Sequence, residues 1–355
     1  MMYKILSINP GSTSTKIAIY EDEHELFVES ILHTDEELSK FHRVQDQFEF
    51  RKSAVLNFLK QNKFDVGELS AIVGRGGLLP PVKSGAYKVN ELMVDRLMNR
   101  PILEHASNLA ALIAYELSNE LHINAYIYDS IAVDELMDIA KHTGLYEVDR
   151  VSLTHALNMR AAAMKVSKKL DKKYVDCNFV VAHLGGGISL SAHHQGKMID
   201  IVSDDEGPFS PERSGRVAVK DLFKYVTSGK YTKDELKKKL RGNAGLKGHL
   251  ETVDAREVEK RIHDGDEKAK LIYETMAYQI AKSIGELSVT LYGNVDRIIL
   301  TGGIAYSKML TDLVIKRVNF IAPVEVIPGE NEMESLTLGA LRVLRGEEKA
   351  RDYFE

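Results

Sequence analysis

Small hydroxyl residues follow the first predicted strand and could bind an anion. The apolar run Ile5–Ile8 predicts a buried strand, which ends at the turn signal in residues 9–11, and the alternating run Lys16–Tyr20 predicts a return strand. Between the two runs, the hydroxyls of Ser12 and Ser14 and free backbone N–H groups could form a concave nest for phosphate. An ordinary Ser/Thr-rich β-turn is the alternative when this stretch is taken alone.

The same pattern returns about 175 residues later, which indicates a duplicated fold. The apolar run Phe179–Leu184 leads into the glycines 185–187, a return strand Ile188–Ala192, a polar turn and a third strand Met198–Ile201. Each half would then present one phosphate-facing hairpin, and a nucleotide could lie between them. Three glycines could also form a flexible turn, but the recurrence of the flanking strands disfavours that interpretation.

Three polar residues stand at the ends of predicted elements. Arg75 lies between glycines after the strand Leu69–Val73, where a guanidinium can project into a cleft or lie in a flexible surface loop. Asp129 follows the strand Ala125–Tyr128, and it could meet a ligand at that end of an α/β sheet or cap the next helix. His155 opens an Ala-rich helix, where a lone histidine is more often structural than catalytic.

The remaining elements alternate between helices and strands. Helical spacing predicts helices over residues 47–62, 101–121, 266–292 and 335–344, an irregular loop over 204–216, and charged helices over 217–265 with a capping box that begins at Thr232. The strand Arg297–Thr301 runs into Gly302 and Gly303, a corner that would let a flat ring such as adenine approach the backbone. A last strand, Val324–Pro328, precedes an acidic turn.

Composition limits the class of protein. A length of 355 residues predicts about two domains, and 44% hydrophobic with 28% charged residues is ordinary globular composition. The net charge of -5 and pI near 6.2 argue against a general nucleic-acid role. A single cysteine, Cys177, fits a reducing cytoplasm. No signal peptide and no membrane-spanning run are expected, so we predict a cytoplasmic protein.

Together these motifs resemble the sugar kinase/Hsp70/actin superfamily and, within it, the acetate/butyrate kinase (acetokinase) family. The resemblance covers nearly the whole chain. It is carried, in order and spacing, by Ile8–Lys16, Gly74–Gly77, Tyr128–Ser130, His183–Gly187 and Leu300–Ile304.

Two departures favour the butyrate kinase branch over the acetate kinases. Gly186 stands where acetate kinases carry Asn, and the run from His155 to Asn158 replaces their longer His-Gly-Thr-Ser-His signature. The chain is also shorter than a typical acetate kinase.

The resemblance implies an α/β protein of two duplicated ribonuclease H-like (actin-like ATPase) domains around a nucleotide cleft. Residues 1–150 with 330–355 would form the lobe on the substrate side, and residues 151–329 the lobe on the nucleotide side. The implied activity is reversible transfer of the ATP γ-phosphoryl group to a short-chain fatty acid, giving an acyl phosphate, with Mg²⁺ as cofactor. A homo-oligomer, a dimer or higher, is also implied.

The resemblance further implies roles for individual residues. Arg75 and Arg213 would neutralise charge on the transferred group, and His155 would donate a hydrogen bond to it. Asp129 would orient the reactants or hold Mg²⁺ through water. Glu332 would serve the metal together with Asn9, with Glu330 or Glu334 as alternatives. The cofactor-binding residues would be Asn9, Ser12, Ser14, His183, Gly185, Gly186, Gly187, Gly302, Gly303 and Ile304.

Two other functions are compatible with the fold. The first keeps the chemistry and changes the acceptor: acetate or propionate kinase, or more distantly a sugar kinase, which needs a base to deprotonate its hydroxyl. The second is a non-metabolic ATPase like Hsp70 or actin, although the chain has little room for the extra domains or filament insertions of those proteins.

Overall fold

The computed structural model describes residues 2–354, which form two compact units. The first unit comprises the chain up to Asp134 together with the chain from Asn331, and the second comprises Glu135–Glu330. The expected boundary at residue 150 differs from this division. Residues 135–150 pack in the second unit, where Met137 donates its N–H to the carbonyl of Ile199 and Arg150 pairs with Asp200.

The first unit is built on a seven-stranded sheet of order β12-β5-β6-β4-β1-β2-β3. The first three strands are antiparallel neighbours, whereas β4 and β6 continue the sheet in parallel. The predicted opening hairpin is confirmed, and a third antiparallel strand follows it. The strands, numbered along the chain, are β1 Lys4–Pro10, β2 Ser14–Glu21, β3 His24–Leu32, β4 Ala71–Arg75, β5 Ala86–Lys88, β6 Asn124–Tyr128 and β12 Arg351–Asp352.

The helices of the first unit cover this sheet. They are α1 Asp35–Leu38, α2 Phe48–Gln61, α3 Glu91–Asn99, α4 Asn108–Leu121 and α13 Glu332–Leu344, with short 3-10 helices at Val44–Gln47 and Val66–Glu68. Gly74 meets α4, since an added Cβ would lie 2.9 Å from the Ala110 carbonyl carbon. Ser7 meets α13, where its hydroxyl lies 2.7 Å from that of Thr337. Because side chains alternate along a strand, the two helices lie on opposite faces of the sheet.

Two predicted helix boundaries differ from the structure. The helix expected over 101–121 begins only at Asn108, because Asn108 Nδ2 donates to the carbonyl of Leu103 and His105 Nδ1 accepts from the N–H of Ser107, which hold a turn there. The helix expected from Ser335 begins at Glu332, since acidic residues are favourable in a first helical turn.

The second unit repeats the arrangement of the first in a five-stranded sheet of order β11-β10-β7-β8-β9. Again three antiparallel strands are followed by two parallel ones, so the predicted duplication is confirmed. The strands are β7 Asn178–Leu184, β8 Ile188–His194, β9 Lys197–Val202, β10 Arg297–Gly302 and β11 Val324–Pro328.

Helices cover both faces of the second sheet. Val180, Ala182 and Leu184 of β7 belong to a core shared with α11 and α12, whereas Phe179 and Val181 pack with α6. The helices are α5 Asp138–Lys141, α6 Ala156–Lys169, α7 Val219–Val226, α8 Lys233–Leu240, α9 Gly245–Leu250, α10 Ala255–His263, α11 Glu267–Thr290 and α12 Lys308–Val318, with 3-10 helices at Tyr174–Asp176 and Gly303–Tyr306. The predicted capping box at Thr232 is present.

Within residues 2–354, no helix combines the length and the apolar character needed to cross a membrane.

Candidate active site

In the first unit, strand register brings Asn9, Arg75 and Glu332 together. β1 and β4 run parallel with Ile8 opposite Gly74, so the next step along each strand places Asn9 beside Arg75. Asn9 lies two residues after Ser7, which contacts α13, and Arg75 lies two residues after the residue of β4 that pairs with Ser7. Side chains two residues apart on a strand point to the same face, so Asn9 and Arg75 also face α13. Glu332 is the first residue of α13. Its carboxylate accepts a 2.5 Å hydrogen bond from Asn9 Nδ2 and forms an ion pair with Arg75.

The turn that carries Arg75 is closely packed. A Cβ on Gly76 would lie 2.5 Å from Ser130 Cβ, and one on Gly77 would lie 2.4 Å from Asn108 Oδ1. The same Asn108 oxygen accepts a hydrogen bond from the N–H of Leu78. These contacts argue against the alternative of an arginine in a flexible surface loop.

Asp129 is held in an unusual backbone conformation directly after β6. Its φ is 41°, in the left-handed region that costs a non-glycine residue free energy, and it is buried. Its Oδ1 accepts a 2.7 Å hydrogen bond from the N–H of Gly85, and its own N–H donates to the Gly85 carbonyl. The next helix, α5, begins only at Asp138, so Asp129 does not cap it. Such strain is commonly found at functional sites.

The loop between β1 and β2 presents its side chains to solvent. Ser12 and Thr13 are exposed, and Ser14 is half-buried. Two backbone hydrogen bonds fix the loop, from Gly11 N–H to the Ser14 carbonyl and from His33 N–H to the Thr13 carbonyl. Two of the three side chains at the predicted anion-binding tip are therefore open to a ligand.

In the second unit, the glycine loop after β7 is closely surrounded by carboxylates. A Cβ would lie 3.2 Å from Glu330 Oε1 at Gly185, 3.3 Å from Glu212 Oε2 at Gly186, and 3.0 Å from Asp204 Oδ2 at Gly187. Side chains larger than glycine would therefore press on these groups. A polyphosphate at this loop would also need nearby positive charge to offset the carboxylates.

Arg213 supplies part of that positive charge. Its Nη1 lies 2.5 Å from Asp204 Oδ2, and Arg241 approaches the same carboxylate. Burial nevertheless raises the pKa of Asp204. The Arg213 loop is tied to the glycine loop through Ser210, whose hydroxyl donates to the Gly186 carbonyl and accepts from the Arg213 N–H.

His155 and His183 stack in the second unit, with ring centroids 4.1 Å apart and an interplanar angle of 18°. His155 precedes α6, and its Nδ1 lies 2.9 Å from the hydroxyl of Ser189. His183 is fully buried, and its Nε2 lies 3.2 Å from Glu330 Oε1. The hydroxyl of Ser189 and the partner ring therefore orient His155.

The two glycines after β10 have different environments. Gly302 has φ 92°, and an added Cβ would lie 2.5 Å from the Leu184 carbonyl oxygen, so the close strand contact itself requires glycine. A Cβ on Gly303 would meet no atom within 4 Å. Of the pair expected to flank adenine, Gly303 is the one with open space beside it.

The described residues contain no cluster of three or more His, Cys, Asp or Glu side chains that could hold a metal ion. Glu332 and the amide oxygen of Asn9 are nevertheless hard oxygen donors, and Mg²⁺ in phosphoryl-transfer sites is commonly held by one or two carboxylates with the substrate phosphates. The residues present therefore fit that ion. Of the three acidic candidates, Glu332 is the one that contacts Asn9, whereas Glu330 belongs to the second unit.

Sequence reasoning missed two residues that contact the predicted site. Asp204 lay in a loop that was described only as irregular. Arg51 lies under the Ser12 loop, and its signal was a basic residue on the apolar stripe of α2, which also carries Val55, Phe58 and Leu59.

Comparisons with known proteins give consistent matches. The model of the acetokinase family matches residues 150–336. The chain is 48% identical over 354 residues to butyrate kinase 1 of Clostridium acetobutylicum, covering 99% of this chain and 100% of that protein.

Solved structures share the fold at low sequence identity. Acetate kinase of Porphyromonas gingivalis superposes with a TM-score of 0.76 at 19% identity, covering 95% of this chain and 98% of that one. A propionate kinase of Francisella tularensis gives 0.73 at 20% identity, covering 95% and 99%.

Proposed function

This chain belongs to the acetokinase family, and we propose from that premise that it is a butyrate kinase. It transfers the γ-phosphoryl group of ATP to the carboxylate of butyrate, giving butyryl phosphate and ADP, and it catalyses the reverse reaction. The observation that carries this function is the 48% identity, over 99% of the chain, with butyrate kinase 1 of Clostridium acetobutylicum.

The chemistry needs positioning and charge neutralisation more than proton transfer. Butyrate is already ionised at pH 7, because carboxyl groups titrate near pH 4. One of its oxygens attacks the γ-phosphorus while the bond to the β–γ bridging oxygen breaks, so no general base is required. The obstacle is repulsion between the carboxylate and the polyphosphate, which arginines can offset.

We assign the acceptor, and part of the contact with the transferred group, to residues of the first unit. Arg75 steers the butyrate carboxylate and braces the moving phosphoryl group. Asp129 orients the reactants, and its strained, buried position supports a role that needs a fixed carboxylate. Ser12 and Ser14 bind phosphate oxygens from the open side of their loop.

We assign the nucleotide to residues of the second unit. Gly185, Gly186 and Gly187 approach the β-phosphate with their backbone, and Arg213 braces the transferred phosphoryl group. His155 donates a hydrogen bond to the transferred group, with its ring oriented by Ser189 and His183. Gly303 and Ile304 flank adenine, whereas Gly302 acts indirectly by fixing the corner.

Three further features belong to this proposal. Mg²⁺, held by Glu332 and Asn9, would neutralise phosphate charge during transfer. The enzyme would work in the cytoplasm, as its single buried thiol, Cys177, suggests. It would also be a homo-oligomer.

The alternative acceptors are acetate and propionate, which the names of the structural neighbours suggest. We would assay the enzyme with acetate, propionate, butyrate and isobutyrate at matched concentrations and trap the acyl phosphate with hydroxylamine. The proposal requires the highest kcat/KM with butyrate or its branched analogue. ATP hydrolysis without any carboxylate dependence would instead favour a non-metabolic ATPase.

A further inference from the structure

A fully buried arginine supports the loop that carries Ser12 and Ser14. None of the Arg51 side chain is exposed. Its Nη1 donates to the Ser14 carbonyl at 2.8 Å and to Thr15 Oγ1 at 3.0 Å, and its Nη2 donates to the Ser12 carbonyl at 3.1 Å. Its Nε donates to Gln47 Oε1 at 2.9 Å. The guanidinium therefore joins helix α2 to two carbonyls of the loop.

The positive charge of Arg51 has no acidic partner within residues 2–354. All four hydrogen bonds end on neutral oxygens, and burial alone lowers the pKa of this guanidinium, to about 10. Arg51 therefore remains charged at pH 7. A buried charge is normally paired, because desolvation is costly. A ligand anion above the exposed loop would supply the missing counter-charge.

The contacts of Arg51 also fix the direction of the loop peptides. In a trans peptide the carbonyl and the following N–H point in opposite directions, and the structure has no cis peptide among residues 2–354. Since the Ser12 carbonyl points at Arg51, the N–H of Thr13 points away from it. The negative ends of the loop dipoles thus face the buried arginine, and a positive end faces the ligand side.

Thr15 connects Arg51 to a neutral histidine. Thr15 Oγ1 accepts from Arg51 and lies 2.8 Å from Nε2 of His33, so its own proton can be donated to that nitrogen. Burial and the charge of Arg51 both lower the pKa of His33. The imidazole is therefore neutral at pH 7, and the charge beneath the loop is that of Arg51.

We propose that Arg51 is a positioning residue for phosphate binding by the loop of residues 11–15. It holds the loop carbonyls inward and places a buried positive charge under the loop, which the phosphate of ATP or of the acyl phosphate balances. The inference rests on the proposed function for the identity of the ligand. It requires only that a phosphate binds at this loop, whatever the acyl acceptor.

Three variants test this role. Arg51→Met removes the charge and the fork of donors, and Arg51→Lys keeps a charge but cannot reach two carbonyls as a fork. Val55→Ala is the matched control, because Val55 is fully buried on the same helix and removing its methyl groups loosens the packing while Arg51 keeps its hydrogen bonds to the loop. Calorimetry would measure binding of inorganic tripolyphosphate, ADP and adenosine to each protein.

We expect Arg51→Met to weaken the binding of tripolyphosphate and ADP by about tenfold or more, since a nearby buried charge acts strongly in a low dielectric. Adenosine, which has no phosphate, should bind as to the wild type. Arg51→Lys should lose less than Arg51→Met, and Val55→Ala should bind all three as the wild type does.

Two results would overturn the role of Arg51. One is a folded Arg51→Met that binds tripolyphosphate as well as the wild type does. The other is a Val55→Ala variant that, at a similar loss of melting temperature, weakens binding equally. If Arg51→Met does not fold, Arg51→Lys decides: the KM for butyryl phosphate must rise while the KM for butyrate stays constant. Failure of the proposed function would show separately, as a wild type that makes no butyryl phosphate.

Discussion

The carboxylate of Glu332 is paired with the guanidinium of Arg75 where β1 and β4 end. The same carboxylate accepts a hydrogen bond from Asn9, so a single acidic group holds both candidate residues of this edge. A metal ion that binds Glu332 would compete with Arg75 for it. Metal binding would therefore also free the arginine to meet the substrate carboxylate.

The first prediction concerns the metal. Glu332→Gln should raise the Mg²⁺ concentration for half-maximal activity by about tenfold or more, because the site loses its charged oxygen donor. Glu334→Gln and Glu330→Gln are the matched controls and should keep the wild-type value. Magnesium titrations of the initial rate measure all three. A larger change in either control would indicate that the metal binds that residue instead of Glu332.

The second prediction concerns the two arginines. Arg75→Ala and Arg213→Ala should each lower kcat by about 10³- to 10⁵-fold, the usual loss for a transition-state arginine. Arg216→Ala is the control in the Arg213 loop, since Arg216 pairs with Glu286 and is exposed, and it should keep most of the activity. Steady-state kinetics decide the question. Near-normal turnover in either of the first two variants would show that its assigned role is wrong.

The third prediction separates the neighbouring glycines at the end of β10. Gly302→Ala should lower the free energy of unfolding by about 3 kcal/mol or more, because its Cβ would strike the Leu184 carbonyl at a positive φ. Gly303→Ala should leave stability within about 0.5 kcal/mol, as expected where a substitution meets open space. If Gly303 flanks adenine, the same variant should raise the KM for ATP.

Denaturation and ATP titration of the two variants check this pair. A Gly303→Ala enzyme with an unchanged KM for ATP would exclude Gly303 from the adenine site, and a stable Gly302→Ala protein would show that the strand contact tolerates a methyl group.

The duplicated fold could be predicted because the same order of an apolar strand, a small-residue loop and a return strand occurs in each half of the sequence. The apolar run Ile5–Ile8 and the run Phe179–Leu184 both read as strands, and each is followed by small residues and a return strand. Burial on two faces of a central strand leaves few polar positions, so these patterns are strong. The start of α4 could not be predicted, because Leu103 continues the helical stripe although it is exposed in a turn held by side-chain hydrogen bonds.

The sequence could not show which residues that are far apart along the chain contact each other in the site. The resemblance implied a metal-binding role for Glu332, but its joint contact with Arg75 and Asn9 depends on the parallel register of β1 and β4. Arg51 interrupts an apolar stripe, which marks it as unusual without indicating its partners. Three-dimensional packing decides such contacts.

The last prediction follows from a buried histidine of β8. The His193 ring lies 2.7 Å from the hydroxyl of Tyr174 and 2.6 Å from that of Ser191, and it is fully buried. Burial, and then the charge of Arg160, lower the pKa of His193 to about 3. In the unfolded chain the pKa of histidine is about 6.5. Below about pH 6.5, His193 therefore binds a proton more readily in the unfolded state than in the folded state.

The stability that neutral His193 contributes is complete above about pH 6.5 and is lost as the pH falls toward 3, at up to about 1.4 kcal/mol per pH unit. Urea unfolding at pH 7.5, 5.5 and 4.5 should show this slope in the wild type and a shallower one in His193→Gln. Equal slopes in the wild type and His193→Gln would mean that other groups cause the acid sensitivity, because only a group whose pKa differs between the two states contributes to it.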